Sequence, residues 1–288
     1  MQEQAAIITS KTICYIEEHL EQELKLDKIA EDLHYSKFHL HRLFTKTVGL
    51  TIHDYIQRRK LTEAAKLLVY SQKPVLEIAF FSGYESQQAF SEAFKAMYKV
   101  PPARFRAGKE FYPLQRELYP VQQRINPHFS KQDIKTAAVA DIPAWMELVR
   151  FSVDGYPCLK EEEYLENLYA YIDGKKAVIL RDGSQAAGAM CYHPELGKID
   201  FLAVHPQYRK LGLEALFLAR LADEMPETKE ISLTTYRAGD KADTGYRETY
   251  FRLGFAEDEL LVEYGYPTQR LVLSPEKQGD RKNAAERN

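Results

Sequence analysis

The stretch LDKIAEDLHYSKFHLHRLFTKTVG, Leu26 to Gly49, decides how the first third of the chain folds. Leu26–Leu33 carries apolar residues at helical spacing and predicts a short amphipathic helix, with Asp27 placed to cap it. A turn at His34-Tyr35 follows. Ser36 then caps a second helix, Lys37 to about Val48, which Gly49 closes. Two short helices joined by a tight turn form a helix-turn-helix.

The same arrangement returns further along the chain. Pro74 fits the first turn of a helix over Val75–Phe81, with Val75, Ile78 and Ala79 inward. Ser82-Gly83-Tyr84 makes the turn. Ser86–Tyr98 is the second helix, ended by Val100-Pro101-Pro102. Between the two units the pattern predicts a long helix, about Ile52 to Val69, with Tyr55, Ile56, Leu61, Ala65 and Leu68 on its core side. About 18 residues at roughly 1.5 Å each span about 27 Å. With the width of the flanking helices, this approaches the roughly 34 Å between successive turns of a major groove. One molecule can therefore set Ser36–Val48 and Ser86–Tyr98 in adjacent grooves.

Charge separates this region from the rest. The chain has 288 residues and a net charge of −3. Lys25–Lys109 holds 15 Lys and Arg against 8 Asp and Glu, a net of +7, whereas Glu110–Asn288 holds 23 against 29, a net of −6. A basic block beside an acidic one predicts two domains with different partners, and double-stranded DNA suits the basic one. There is no apolar run long enough for a transmembrane helix, so no membrane partner is expected. MQEQAAIITSK lacks the order of a signal peptide. Cys14, Cys158 and Cys191 are widely spaced, which fits reduced thiols, a cytoplasmic location and no metal site.

These residues resemble the AraC/XylS family of bacterial transcription regulators over roughly 8–108. The resemblance implies an all-helical, bipartite domain with two recognition helices. Carried over, the first presents Lys37, Phe38, His39, His41 and Arg42, and the second Gln87, Gln88 and Lys95. Arg42 suits guanine O6/N7, Phe38 a thymine methyl, and the glutamines adenine N6/N7. Lys95 suits phosphate. Phe38 as a core residue is the alternative. Glu92 departs from relatives that carry a basic residue there. Arg58, Arg59 and Lys60 on the linker helix read as solvated charges or partners of Glu63. Such a domain binds DNA as a monomer or a homodimer.

AGKEFYPLQRELYPVQQRINPHFSK (Ala107–Lys131) carries Pro113, Pro120 and Pro127 and predicts an extended, partly packed connector. The domains expected are 1–108, a connector 109–130, an α/β domain 131–274 and a disordered tail 275–288. Within the α/β domain the pattern predicts strands at Ile134–Ala138, Ala177–Leu180, Gln185–Tyr192, Lys198–Val204, Ile231–Thr235, Leu260–Tyr264 and Arg270–Leu273. Helices are predicted from Asp141, as cap, to Arg150, over Lys160–Ile172, to about Glu224, and over Gly245–Leu253. This order builds a mixed sheet.

FLAVHPQYRKLGLEALF (Phe201–Phe217) reads as strand, basic turn and helix start. Amides at a helix start lack intrahelical partners and carry the positive end of the dipole, which suits an anion. The stretch resembles the pyrophosphate-binding motif of the GNAT family of N-acetyltransferases, V-x-P-x-x-R-x-x-G-x-(G/A). TYFRLGF (Thr249–Phe255) resembles that family's Y-x-x-x-G-F segment. The resemblance implies acetyl-CoA or another acyl-CoA as ligand. Its holders would be Val204, Arg209, Lys210, Leu211, Gly212, Leu213, Glu214 and Ala215. Tyr250 would be the acid for the leaving thiolate and Asp200 a candidate base. Glu214 stands where relatives have Gly or Ala, and the helical wheel places it outside the solvated arc. Asp243 stands where many have Asn. Thr234, Thr235, Arg237, Asp240 and Tyr246 are candidates for a pocket holding a small-molecule acceptor or effector. Three functions stay open: a DNA-binding regulator that also acetylates an amine, a regulator whose GNAT-like domain only senses a ligand, and an N-acetyltransferase with a vestigial DNA-binding domain.

Overall fold

The computed structural model describes residues 2–118, 128–152, 161–225, 230–263 and 265–274. Pro120, Pro127, Cys158 and the charged tail lie outside them. The described residues form two compact units, 2–118 and 128–274. Among them, no helix is long and apolar enough to cross a membrane, and no cluster of His, Cys, Asp and Glu is placed to hold a metal.

The first unit is helical: α1 (Gln2–Glu18), α2 (Leu26–Asp32), α3 (Lys37–Val48), α4 (Ile52–Tyr70), α5 (Val75–Phe81), α6 (Gln87–Tyr98) and α7 (Pro102–Gly108). Local chemistry sets most ends. Ser36 accepts from the His39 N–H, Thr51 from Asp54 and Ser86 from Ala89, each closing an orphan donor of a helix start. Gly49 takes the left-handed conformation, φ 82°, that ends α3. Two details differ from the sequence pattern. Asp27 does not cap α2; its carboxylate pairs with Lys37 Nζ at 2.8 Å and ties α2 to α3. The α6 end falls to Lys99, left-handed at φ 61°, ahead of the prolines. Pro102 then starts α7, a helix the sequence reading did not contain.

Leu40, Phe44 and Val48 of α3 are buried, and Phe44 meets Tyr55 of α4 edge-on at 5.5 Å. Around α6 the core is aromatic. Phe94 stacks on Tyr98 at 4.3 Å and meets Phe105 of α7 edge-on at 5.3 Å. Arg58 and Arg59 are buried, not solvated. Arg59 makes two hydrogen bonds to Glu17 of α1, at 2.8 and 2.7 Å, one to Glu63 at 3.2 Å and one to the Gln115 carbonyl at 3.1 Å. Lys60 donates to the Gln22 carbonyl at 2.8 Å. The described part of the connector is packed on α4: Leu114 and Leu118 are buried, and the Thr62 hydroxyl accepts from the Leu114 and Gln115 N–H groups at 3.1 Å.

The second unit holds seven strands: β1 (Lys135–Thr136), β2 (Ala177–Asp182), β3 (Gln185–His193), β4 (Lys198–Val204), β5 (Ile231–Tyr236), β6 (Ala256–Glu263) and β7 (Tyr266–Leu273). They form one mixed sheet in the order β1-β2-β3-β4-β5-β7-β6. Its helices are α8 (Ile142–Ser152), α9 (Glu161–Asp173), α10 (Leu213–Ala222) and α11 (Tyr246–Arg252). The predicted element order holds. The first strand is shorter than expected and β6 and β7 begin earlier. Asp141 does not cap α8; its carboxylate accepts from the Ala138 N–H and pairs with Arg181, at 2.9 and 2.7 Å.

Only β4 and β5 are parallel neighbours among the described residues. Among the described residues their register consists of one pair, Lys198 and Ser232, with the Ser232 N–H donating to the Gly197 carbonyl at 2.7 Å. The remainder of β4, which leads to the turn before α10, runs without β5 as a hydrogen-bonded neighbour. Gly188 of β3 lets α10 lie close on the sheet: a Cβ there would sit 2.6 Å from the Phe217 ring.

Candidate DNA interface and ligand cradle

On α3 the buried stripe of Leu40, Phe44 and Val48 leaves Lys37, Phe38, His41 and Arg42 exposed and His39 half-buried. Phe38 is 79% exposed with Lys37 Nζ 5.7 Å from its ring centre, so it is not a core residue. Among the described residues Arg42 has no hydrogen-bond or ion-pair partner, which leaves its guanidinium fork available to a base edge. On α6 the buried stripe is Phe90, Phe94 and Met97, and Gln87, Gln88 and Lys95 are exposed. Gln88 donates to Glu92 at 3.1 Å, so the residue that departs from the family pattern is coupled to a candidate DNA-reading residue.

In the second unit, β4 ends at the buried Val204. His205 starts a 3-10 turn, Pro206–Leu211, its Nδ1 accepting from the Gln207 N–H at 3.3 Å. Burial, aided by Arg209, pulls its pKa down to about 3, so the ring stays neutral. The unfolded chain protonates His205 at about pH 6.5 and the folded one does not. Its contribution to stability is therefore full above that pH and is lost as pH falls toward about 3. We expect the second unit to lose roughly 2 kcal/mol between pH 7 and pH 5. Urea denaturation followed by Trp145 fluorescence measures it, and His205→Asn should flatten that slope.

Gly212, left-handed at φ 67°, caps α10, and no atom lies within 4 Å of where its Cβ would be. The N–H groups of Leu213 and Glu214 face no intrahelical acceptor, while that of Ala215 already bonds the Gly212 carbonyl at 3.1 Å. Leu211 and Lys210 complete the turn. Arg209 donates to the Tyr246 hydroxyl at 3.2 Å. Glu214 is only 5% exposed. Burial pushes its carboxyl above the usual range, while its own N–H, Arg209 and Arg252 pull the other way. Tyr250 on α11 is also 5% exposed, and its hydroxyl has no hydrogen-bond partner among the described residues. Burial, and the nearby Tyr246, Glu214 and Asp243, push its phenol up, so it is held as a neutral O–H. Asp243 caps α11, accepting from the Gly245 and Tyr246 N–H groups at 2.9 Å each, which needs only an acceptor oxygen.

Other candidates are committed elsewhere. Asp200 accepts from Tyr171 at 2.9 Å, pairs with Lys198 at 2.7 Å and lies 3.4 Å from His193 Nε2. Arg237 donates to the Thr268 and Leu261 carbonyls, and Asp240 accepts from the Ala242 N–H and the Tyr266 hydroxyl. Thr234 and Thr235 are half-buried on β5. Sequence reasoning missed the gap between β4 and β5, because strand register across distant segments leaves no local pattern.

A family profile described as a helix-turn-helix domain matches residues 29–108. The multiple antibiotic resistance protein MarA of Escherichia coli is 42% identical over 101 residues, 35% of this chain and 80% of MarA. The chain belongs to the AraC-type family of transcription regulators. The profile match in the AraC-type unit takes in α3 and α6 with all eight candidate DNA-reading residues. The transcriptional regulator YbfP of Bacillus subtilis is 38% identical over 107 residues, 37% of this chain; the chain spans only 36% of that relative's length. A solved acetyltransferase of the GNAT family from Bacillus cereus is 16% identical, covering 49% of this chain and 95% of its own, with a TM-score of 0.39.

Proposed function

We propose that the chain is a transcription regulator that reads DNA through α3 and α6 in successive major grooves and binds an acyl-coenzyme A with its second unit. The observation that carries the DNA reading is the pair of exposed polar stripes, joined by α4, whose 19 residues span about 28 Å at roughly 1.5 Å each. Arg42→Ala is expected to weaken binding to the proper site by about 1–3 kcal/mol while leaving random DNA nearly unaffected. Titrations of both DNAs at one salt concentration measure this; equal losses would make Arg42 a phosphate contact.

The coenzyme reading rests on the two segments that resemble GNAT motifs, on the Leu213 and Glu214 amides at the head of α10, and on the open space at Gly212. Binding as a sensed ligand is the reading favoured over turnover, because the Asp200 carboxylate is engaged by Tyr171 and Lys198. Tyr250 favours the second reading, acyl transfer to an amine: a neutral phenol without a partner can protonate a leaving thiolate. Calorimetry with acetyl-CoA tests binding, and thiol release across an amine panel separates ligand from substrate.

A further inference from the structure

The two edges of the sheet are unlike. An edge strand offers unpaired backbone groups to another strand, and proteins close such edges with short length, lysine or a bulge. β1 is two residues long, both exposed, and begins with Lys135. β6, at the other edge, runs for eight residues. Its first half is closed by a bulge: the register shifts between Glu257 and Leu260, and the Gln269 side chain takes the Asp258 and Glu259 carbonyls at 3.4 and 3.2 Å. Its second half, Leu260–Glu263, pairs regularly with β7 and carries no such protection. Leu260 is 62% and Val262 68% exposed, on one face of the strand.

The backbone of that half is set to receive a strand. Arg237 holds the Leu261 carbonyl at 2.7 Å together with the Thr268 carbonyl of β7, so the Leu261 carbonyl faces β7. Backbone groups of successive strand residues alternate in direction, so those of Leu260 and Val262 face the open side. Pro267, opposite Val262, has no N–H, and none is called for there. Carboxylates flank this apolar centre. Among the described residues one cation, Arg270, serves Glu230, Asp258 and Glu259, at 3.3, 2.8 and 3.5 Å. Glu263, at the other end, accepts from the Thr268 hydroxyl at 3.0 Å and meets no cation among the described residues.

We propose that the open half of β6 docks an extended segment of another protein, apolar at alternate residues and carrying Lys or Arg at both ends. The segment's main chain adds a strand to the sheet, Leu260 and Val262 meet its apolar side chains, and the flanking carboxylates meet its cations. A second copy of this chain is a poor occupant: the antiparallel pairing that sets Leu260 against Val262 also sets Glu259 against Glu263, like charge against like. Residues 275–288 of the chain bring charge but no apolar side chain beyond alanine. The inference is independent of the coenzyme reading.

The probe is a fluorescent peptide of about seven residues, alternating valine and threonine between terminal lysines, titrated with the full chain by anisotropy. A second peptide carries glutamate in place of the lysines. The lysine peptide should bind about tenfold more tightly than the glutamate peptide, with the gap closing as salt rises. Hydrogen exchange should slow at the Leu260 and Val262 amides and stay unchanged at Leu261. Val262→Lys should abolish binding, and Glu263→Gln should weaken it about threefold, with the circular dichroism of both variants unchanged. Equal binding of the two peptides, equal binding by wild type and Val262→Lys, or no binding at all overturns the inference. So does sedimentation that shows a dimer which Val262→Lys dissolves, because the occupant is then a second copy.

Discussion

Glu17→Ala should lower the stability of the helical unit by about 3–5 kcal/mol. The substitution strands Arg59, whose side chain is 8% exposed, without the carboxylate that meets two of its three guanidinium nitrogens. Glu63 cannot replace it: it reaches one nitrogen, at 3.2 Å, from a side chain 42% exposed. Tyr55 loses the acceptor of its hydroxyl in the same step. A buried charge left without its partner costs more than the pair contributes, so replacing Glu17 and Arg59 together by Met should recover most of the loss. Urea denaturation followed by helical circular dichroism measures it. Trp145, the chain's single tryptophan, lies in the second unit and reports that transition separately. A loss below about 1 kcal/mol for Glu17→Ala would put Arg59 in contact with water or with another carboxylate.

Phe94→Ala carries a similar cost, about 3–5 kcal/mol, and its effect reaches DNA reading. Phe94 is fully buried between Phe90, Tyr98 and Phe105, so its removal leaves a cavity at the point where α6 rests on α7. The α6 surface with Gln87, Gln88 and Lys95 is positioned by that contact, whereas α3 has its own support in Phe44 and Tyr55. Footprinting should then show protection retained over the half-site read by α3 and lost over the other. Protection of both halves at wild-type concentrations would mean that the cluster does not seat α6.

What the sequence made legible follows from the range of the interaction. Ser36 and Gly49 act within three or four residues of themselves, and each does what its spacing predicts. The wheel position of Glu214 also predicted its burial, because a helix face is a local property. For Arg59 the pairing with Glu63 was legible, four positions along the same helix, but its main partner, Glu17, lies 42 positions away on another helix and was not. Asp27 looked like a cap by type and place, but Lys37 of the next helix took its carboxylate. At the candidate ligand site the motif residues were legible. That Asp200 is held by Tyr171 and Lys198, and that β4 and β5 part after one register pair, depended on elements assembled in three dimensions.

The uninterrupted α4, free of Gly and Pro, has a consequence for how this regulator can change. Each residue of a helix advances about 1.5 Å and turns about 100°, so inserting one would swing the second reading surface out of phase with the first. Substitutions on α3 or α6 alter one half of the recognised sequence at a time. The interval between the halves is held constant by a strut that tolerates exchange of residues but not a change in their number. Operators recognised by diverged descendants of this chain should therefore differ in letters while sharing one spacing.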